Sequence, residues 1–259
     1  MGTPLKKPPV YFTLAQTQFN PILKLEDFLP DIQECFRQAG YPDFDHRNIV
    51  SIQLTTEGNQ PPISIQQKRF QFGNTEKTHA FILDEHSLTL QSTDYGSFEH
   101  FSACFLKGLG IVHDAVKLAF AEKVGLRYLD RVMPQPEETI NQYLIEQVHG
   151  LSTCLQGQSL YSYTETLSEV EDITLLSRVA IRDGSLTFPP DIQPENMCIA
   201  ERFKSYEGIS AMLDNDGFIK RRESFSEKTV AGHLSAIHKI IGAAFKTVVT
   251  PHALTAWDQ

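Results

Sequence analysis

The sequence predicts an α+β fold: an antiparallel sheet made of two duplicated β-α-β4-α halves, with the long helix of each half laid on one sheet face. Three observations predict it. Short runs of period-two hydrophobicity alternate with segments whose apolar residues recur at helical spacing. The order of those segments in the first half recurs in the second. Two long apolar stripes, one per half, each need a sheet face to bury against. The 259 residues, 41% of them hydrophobic, suffice for such a core.

Residues 10 to 20, VYFTLAQTQFN, place Val10, Phe12 and Leu14 on one face and predict a half-buried strand. Leu25, Phe28, Leu29, Ile32, Phe36 and Ala39 then recur at helical spacing, and Gly40 with Pro42 supplies a stop. Extended runs are predicted at about 48 to 56 and 63 to 72, followed by HAFILD and SLTLQS joined tightly at Glu85 and His86. A long helix over 97 to 118 follows, with Ser97 as its N-cap and Phe98, Phe101, Phe105, Leu109, Val112 and Val116 on one stripe.

A shift of 114 lays Val10, Phe12 and Leu14 on Val124, Leu126 and Tyr128, and a shift of 115 lays Leu25 and Leu29 on Ile140 and Leu144. ETINQYLIEQVHGL therefore reads as the second half's first helix. Runs at about 159 to 168 and 174 to 182 come next, then ISAMLDNDGFIKRRES as a hairpin turning at Asp216-Gly217. A last helix over 227 to 247 carries Val230, Leu234, Ile237, Ile241 and Phe245. Halves of 1–122 and 123–259 result, the second lengthened by an insertion at about 183–207, too long and proline-rich for an ordinary connection and expected to be mobile or to grip a partner. Any mixed chain can also be cut into two superficially similar halves. The arrangement resembles the duplicated saddle of TATA-binding-protein-like folds, or a helix-grip fold, in topology alone.

Lys and Arg number 23 against 32 Asp and Glu, a net charge of −9, which disfavours nucleic acid without excluding it. Cys35, Cys104, Cys154 and Cys198 are far apart and show no ligand spacing, as expected of reduced thiols in a cytoplasm. MGTPLKKPP reads as a loose lead-in, and no apolar run reaches the roughly 20 residues that span a bilayer, so no membrane is expected.

The strand VGLRYLDRV, 124 to 132, carries unusual charge for a buried run. Alternation puts Arg127, Leu129 and Arg131 on one face and Val124, Leu126, Tyr128, Asp130 and Val132 on the other. The two arginines either pair with carboxylates where the halves meet, or form an anion site on the open face, or lie on plain surface. GLRYLDRV, the proline after it, DYGSFEHF and LSAIHKIIGAAFKTVVTPHALTAW together resemble an uncharacterised, sporadically distributed bacterial protein family of about this length. The resemblance covers most of the chain, with only the first motif specific, on Gly125, Leu126, Arg127, Tyr128, Asp130 and Arg131. Asn is equally expected at position 130. The family has no known activity, so the resemblance implies a bacterial accessory gene and no chemistry.

Catalytic and metal signatures are absent from the sequence. His113-Asp114 lacks the further ligands of metal-dependent phosphohydrolases, Glu99 and His100 share no H-E-x-x-H frame, and His233 and His238 are five apart. LDNDGF lacks the closing Glu of a calcium loop, KGLGIV reads as helix packing, and neither a P-loop nor a G-x-S-x-G elbow occurs. The expectation is a non-enzymatic binding module without metal or cofactor, its partner a protein or peptide, and a homodimer is compatible with it. The alternatives are an enzyme or small-ligand protein holding an anion at Arg127 and Arg131, and a nucleic-acid binder that joins Arg221 and Arg222 to the same face. The candidate binding residues are Arg127, Tyr128, Asp130, Arg131, Arg221 and Arg222.

Overall fold

The computed structural model describes residues 5–53, 63–192, 194 and 196–258. Residues 1–4 of the lead-in, the end of the run expected at 48 to 56, and positions 193 and 195 of the insertion lie outside them. Among the described residues, nine antiparallel strands form one open sheet. The two strands of matching pattern are its centre: β1 (Val10–Phe19) pairs with β6 (Phe120–Val132), Leu14 opposite Arg127. Outward from β1 lie β5 (Ser87–Ser92), β4 (His79–Leu83), β3 (Ile63–Gly73) and β2 (Asp43–Gln53). Outward from β6 lie β9 (Ile209–Ser224), β8 (Ile173–Asp183) and β7 (Tyr161–Val170), the last forming the sheet edge. A central strand covered on both faces must be apolar or fully partnered throughout, and β6 is buried along nearly its whole second half.

Three helices cover one face. α1 (Leu25–Gln38), α2 (Phe98–Val116) and α5 (Glu227–Val248) turn their stripes, among them Ile32 and Phe36, Phe101 and Phe105, and Leu234 and Ile237, into one core with Phe72, Phe81, Leu90, Leu126 and Ile219. Ser97 and Ser226 cap α2 and α5 by accepting backbone N–H bonds from His100 and Thr229, satisfying donors that a helix start leaves free. α2 passes so close to β4 that a Cβ at Gly108 would stand 2.3 Å from the Phe81 ring. A second core gathers Val132, Val179, Ile181 and Leu213 under α3 (Ile140–Tyr143), the end of α5, and α6 (Pro251–Trp257).

Two expectations fail in the second half. The segment 209–224 is one unbroken strand, not a hairpin, so three strands follow the first helix of this half where four were expected. Asp216 and Gly217 pair with β6 on one side and β8 on the other. Gly217 serves helix approach, because a Cβ there would stand 2.6 Å from Ile237. The helix expected over 138 to 151 stops after α3: Leu144 turns extended and bridges to Val249, and a separate 3-10 segment, Glu146–Thr153, follows.

The insertion is a strap and not a loose arm. Residues 184–192 and 196–204, which include the single turn α4 (Glu201–Lys204), lie across the face opposite the helices. Ile192 and Phe203 bury there with Tyr11, Phe12 and Leu129, and the Tyr11 hydroxyl donates to the Thr187 carbonyl at 2.8 Å. Cys198 anchors the far end, its N–H donating to Lys77 and its carbonyl accepting from Thr93. A strap forms because this face of β1 and β6 presents large apolar side chains that water would otherwise meet.

Candidate functional site

The site lies on the strap side of the sheet's second half. Alternation sends Arg127, Leu129 and Arg131 of β6 to that face, with Asp214 of β9, Arg178 and Arg182 of β8, and Tyr161, Tyr163 and Glu165 of β7 beside them in register. Arg127 is 4% exposed and grips the fully buried Asp214 with both Nε and Nη2 at 2.7 Å. Its Nη1 donates to Asp191 of the strap at 2.5 Å. Burial opposes the charge of Arg127, but the hydrogen bonds to Asp214 and then Asp191 outweigh it and hold its pKa above the ordinary arginine value. Arg178 adds a third bond to Asp214 at 2.8 Å and donates from Nε to Glu165 at 2.9 Å. The Tyr163 hydroxyl donates to the same carboxylate at 2.7 Å.

Arg131, 3% exposed, is caged differently. It donates to the carbonyls of Phe203 and Gly184 and to the Ser210 hydroxyl, and its guanidinium stands 5.4 Å over the Tyr206 ring. No carboxylate pairs with it among the described residues. Burial, and after it the charge of Arg182, hold its pKa below the ordinary arginine value. The expectation of a carboxylate from the other half therefore meets a correction at both positions. Asp214 and Asp191 belong to the same half as Arg127, and Arg131 is satisfied by carbonyls. Neither arginine lines the large cleft, so the two do not converge on a common anion.

That cleft, about 350 Å³, lies between β7, β8 and β9 and the strap residues Thr187 to Asp191. Arg178, Ala180, Arg182, Met212 and Asp214 form its floor, and Tyr161, Tyr163, Phe188, Pro189 and Pro190 its walls. Tyr161 and Tyr163 stack at 6.4 Å between centroids and remain 59% and 45% exposed. Aromatic walls around a few placed charges suit a ligand with an apolar body and polar handles.

No family model matches the chain, and no curated protein matches it.

Tyr128 and Asp130 face the helices. The Tyr128 hydroxyl lies 2.9 Å from that of Tyr95 and 3.0 Å from Nδ1 of His238 on α5, while Asp130 is buried without a hydrogen-bond donor among the described residues. Arg221 and Arg222 sit near the end of β9, ten residues along the strand from the Met212 opposite Arg131, roughly 33 Å away. Arg221 pairs with Asp172 and Glu223, and Arg222 packs over Phe120, 3.9 Å from Glu122. The six sequence-predicted residues thus fall into three separate places. Among the described residues no group of His, Cys, Asp and Glu could hold a metal ion, and no helix is long and apolar enough to cross a membrane.

The cleft residues Tyr161, Tyr163, Arg178, Arg182 and Asp214 were not legible as a site. A signal was present: YSYTET and SRVAIR put aromatic and arginine side chains at every second or fourth position, which is one face of a strand.

Proposed function

We propose that this protein is a non-enzymatic binding module of a bacterial accessory system, whose partner is an extended peptide segment of another protein. One observation carries the proposal: an aromatic-walled cleft opens beside β7, an edge strand whose outer side pairs with no strand among the described residues. An edge offers main-chain hydrogen bonds to an incoming strand, and a pocket on the adjoining face selects alternate side chains. Exposed Tyr161, Tyr163 and Leu167 give such a strand apolar surface to cover. The arginine pairs, by contrast, are engaged by the protein's own groups, which leaves an anion site at Arg127 and Arg131, or a nucleic-acid surface joined to Arg221 and Arg222, without a supporting contact.

The test is a selection of displayed random peptides on the wild type and on Ala180→Trp, a substitution that fills the cleft floor. Peptides that bind the wild type and not the variant, with the variant's thermal melt intact, support the proposal. Recovery of no peptide, or of peptides that bind both alike, overturns it.

We propose further that the halves 1–122 and 123–259 arose by duplication of a saddle-like unit. Support comes from the way β1 and β6 meet at the centre, each flanked outward by the last strand of its own half.

A further inference from the structure

We infer that the cleft takes its peptide by a carboxylate, held by the guanidinium of Arg182. The inference rests on the peptide-binding proposal and adds the chemistry of the contact. An accounting of guanidinium groups leads to it. Arg127 and Arg178 are committed to Asp214, Asp191 and Glu165, and Arg131 to carbonyls and a hydroxyl. Arg182, half-buried in the same face, donates from Nε to the Asp183 carbonyl at 3.4 Å and meets no carboxylate among the described residues. An arginine fork presents paired N–H groups whose geometry matches a carboxylate, so free Nη groups in a cleft are an anion site in waiting.

Further features point the same way. Arg182 lines both the large cleft and a small adjoining cavity of about 10 Å³, which Arg131 also lines. Arg131 has no counter-ion there, so two positive charges face one corner and their potentials add. Gly184, whose carbonyl accepts from Arg131, lies beside the Arg182 guanidinium with φ +115°, a backbone conformation that favours glycine. Glu165 and Asp191 also line the cleft, with Asp214 in its floor, and the three repel a doubly charged phosphate more than a singly charged carboxylate. Tyr161, Tyr163 and Phe188 would bury the apolar side chain next to that carboxylate.

The experiment follows the methyl signals of Met212 and Ala180 by NMR during titration with three probes. These are N-acetyl-phenylalanine, its neutral amide, and N-acetyl-aspartyl-phenylalaninamide. A carboxylate probe is expected to bind about tenfold more tightly than the neutral amide. Arg182→Gln is expected to remove that advantage while leaving binding of the amide unchanged. Preference for the first probe assigns the carboxylate to a chain terminus, and preference for the third to an acidic side chain; either supports the inference. Equal binding of acid and amide overturns the carboxylate grip and leaves the peptide cleft standing, as does a preference that survives in Arg182→Gln. Silence of both methyls toward all three probes also overturns it. The displayed-peptide selection then shows separately whether the cleft binds peptides of other chemistry.

Discussion

Replacing Asp130 by Asn should make the protein more stable, by a margin that opens above about pH 4 and is complete at about pH 7. Asp130 is 7% exposed on the helix side of β6, and the titratable groups that feel its charge are tyrosines: Tyr11, Tyr95 and Tyr128. No cation among the described residues offsets its burial, which raises the carboxyl from an ordinary 3.8 to about 7. The folded state therefore binds the proton more tightly than the unfolded chain does. The stability contributed by this proton is fully present below pH 3.8, declines as pH rises, and is lost in full above about 7. A gap of about three pH units at about 1.4 kcal/mol each amounts to about 4 kcal/mol. Asn has nearly the shape of the protonated acid and does not titrate, so the two proteins should match within about 1 kcal/mol at pH 4 and diverge by up to about 4 kcal/mol at pH 8. Urea denaturation of both across that range measures the difference. A difference that stays flat with pH would show that water or a hidden donor already solvates the carboxylate.

Three further outcomes are expected. Arg127→Ala should cost about 3–5 kcal/mol in chemical denaturation, because Asp214 keeps only Arg178 and Asp191 loses its partner; a loss below about 1 kcal/mol would mean the network is solvated. Gly108→Ala should lower stability by about 1–3 kcal/mol in thermal melts by forcing the Phe81 ring from α2, and an unchanged melt would disprove the close approach. Replacing residues 185–203 by a short glycine linker should cost about 5 kcal/mol or more, since Tyr11, Phe12 and Leu129 lose their cover and Arg131 its cage. A variant as stable as the wild type would show the strap to be passive.

The helices were legible because a stripe at period 3.6 is a local property: Phe101, Phe105, Leu109 and Val112 of α2, and Val230, Leu234, Ile237 and Ile241 of α5, all bury as their spacing predicts. Ser97 as a cap and the tight turn at Glu85 and His86 are equally local. What failed depended on distant partners. Asp216-Gly217 reads as a turn from its own residues, yet the glycine answers to Ile237 and the aspartate lies opposite Arg127. Leu144 continues a helical pattern, yet Val249 claims its backbone. The proline-rich insertion lacks periodicity because it packs as an irregular cover, one side chain at a time, on a surface assembled from β1, β6 and β9. The cleft is hidden for the same reason: its floor and walls come from three strands and the strap, and no single stretch contains it.

The bond from Tyr11 to Thr187 spans 176 residues of chain. At synthesis rates of about 5–20 residues per second, the ribosome takes roughly 10 to 35 s to make the second partner after the first. Strand β1 can pair with β5 early, and helix cover can arrive on one side, but Tyr11 and Phe12 on the other side have no partner until the strap emerges. Contacts of such long separation also form slowly once the chain is free. The nascent protein therefore shows water a sticky aromatic face for most of its birth, and a chaperone or a neighbouring chain has its widest opening during that interval.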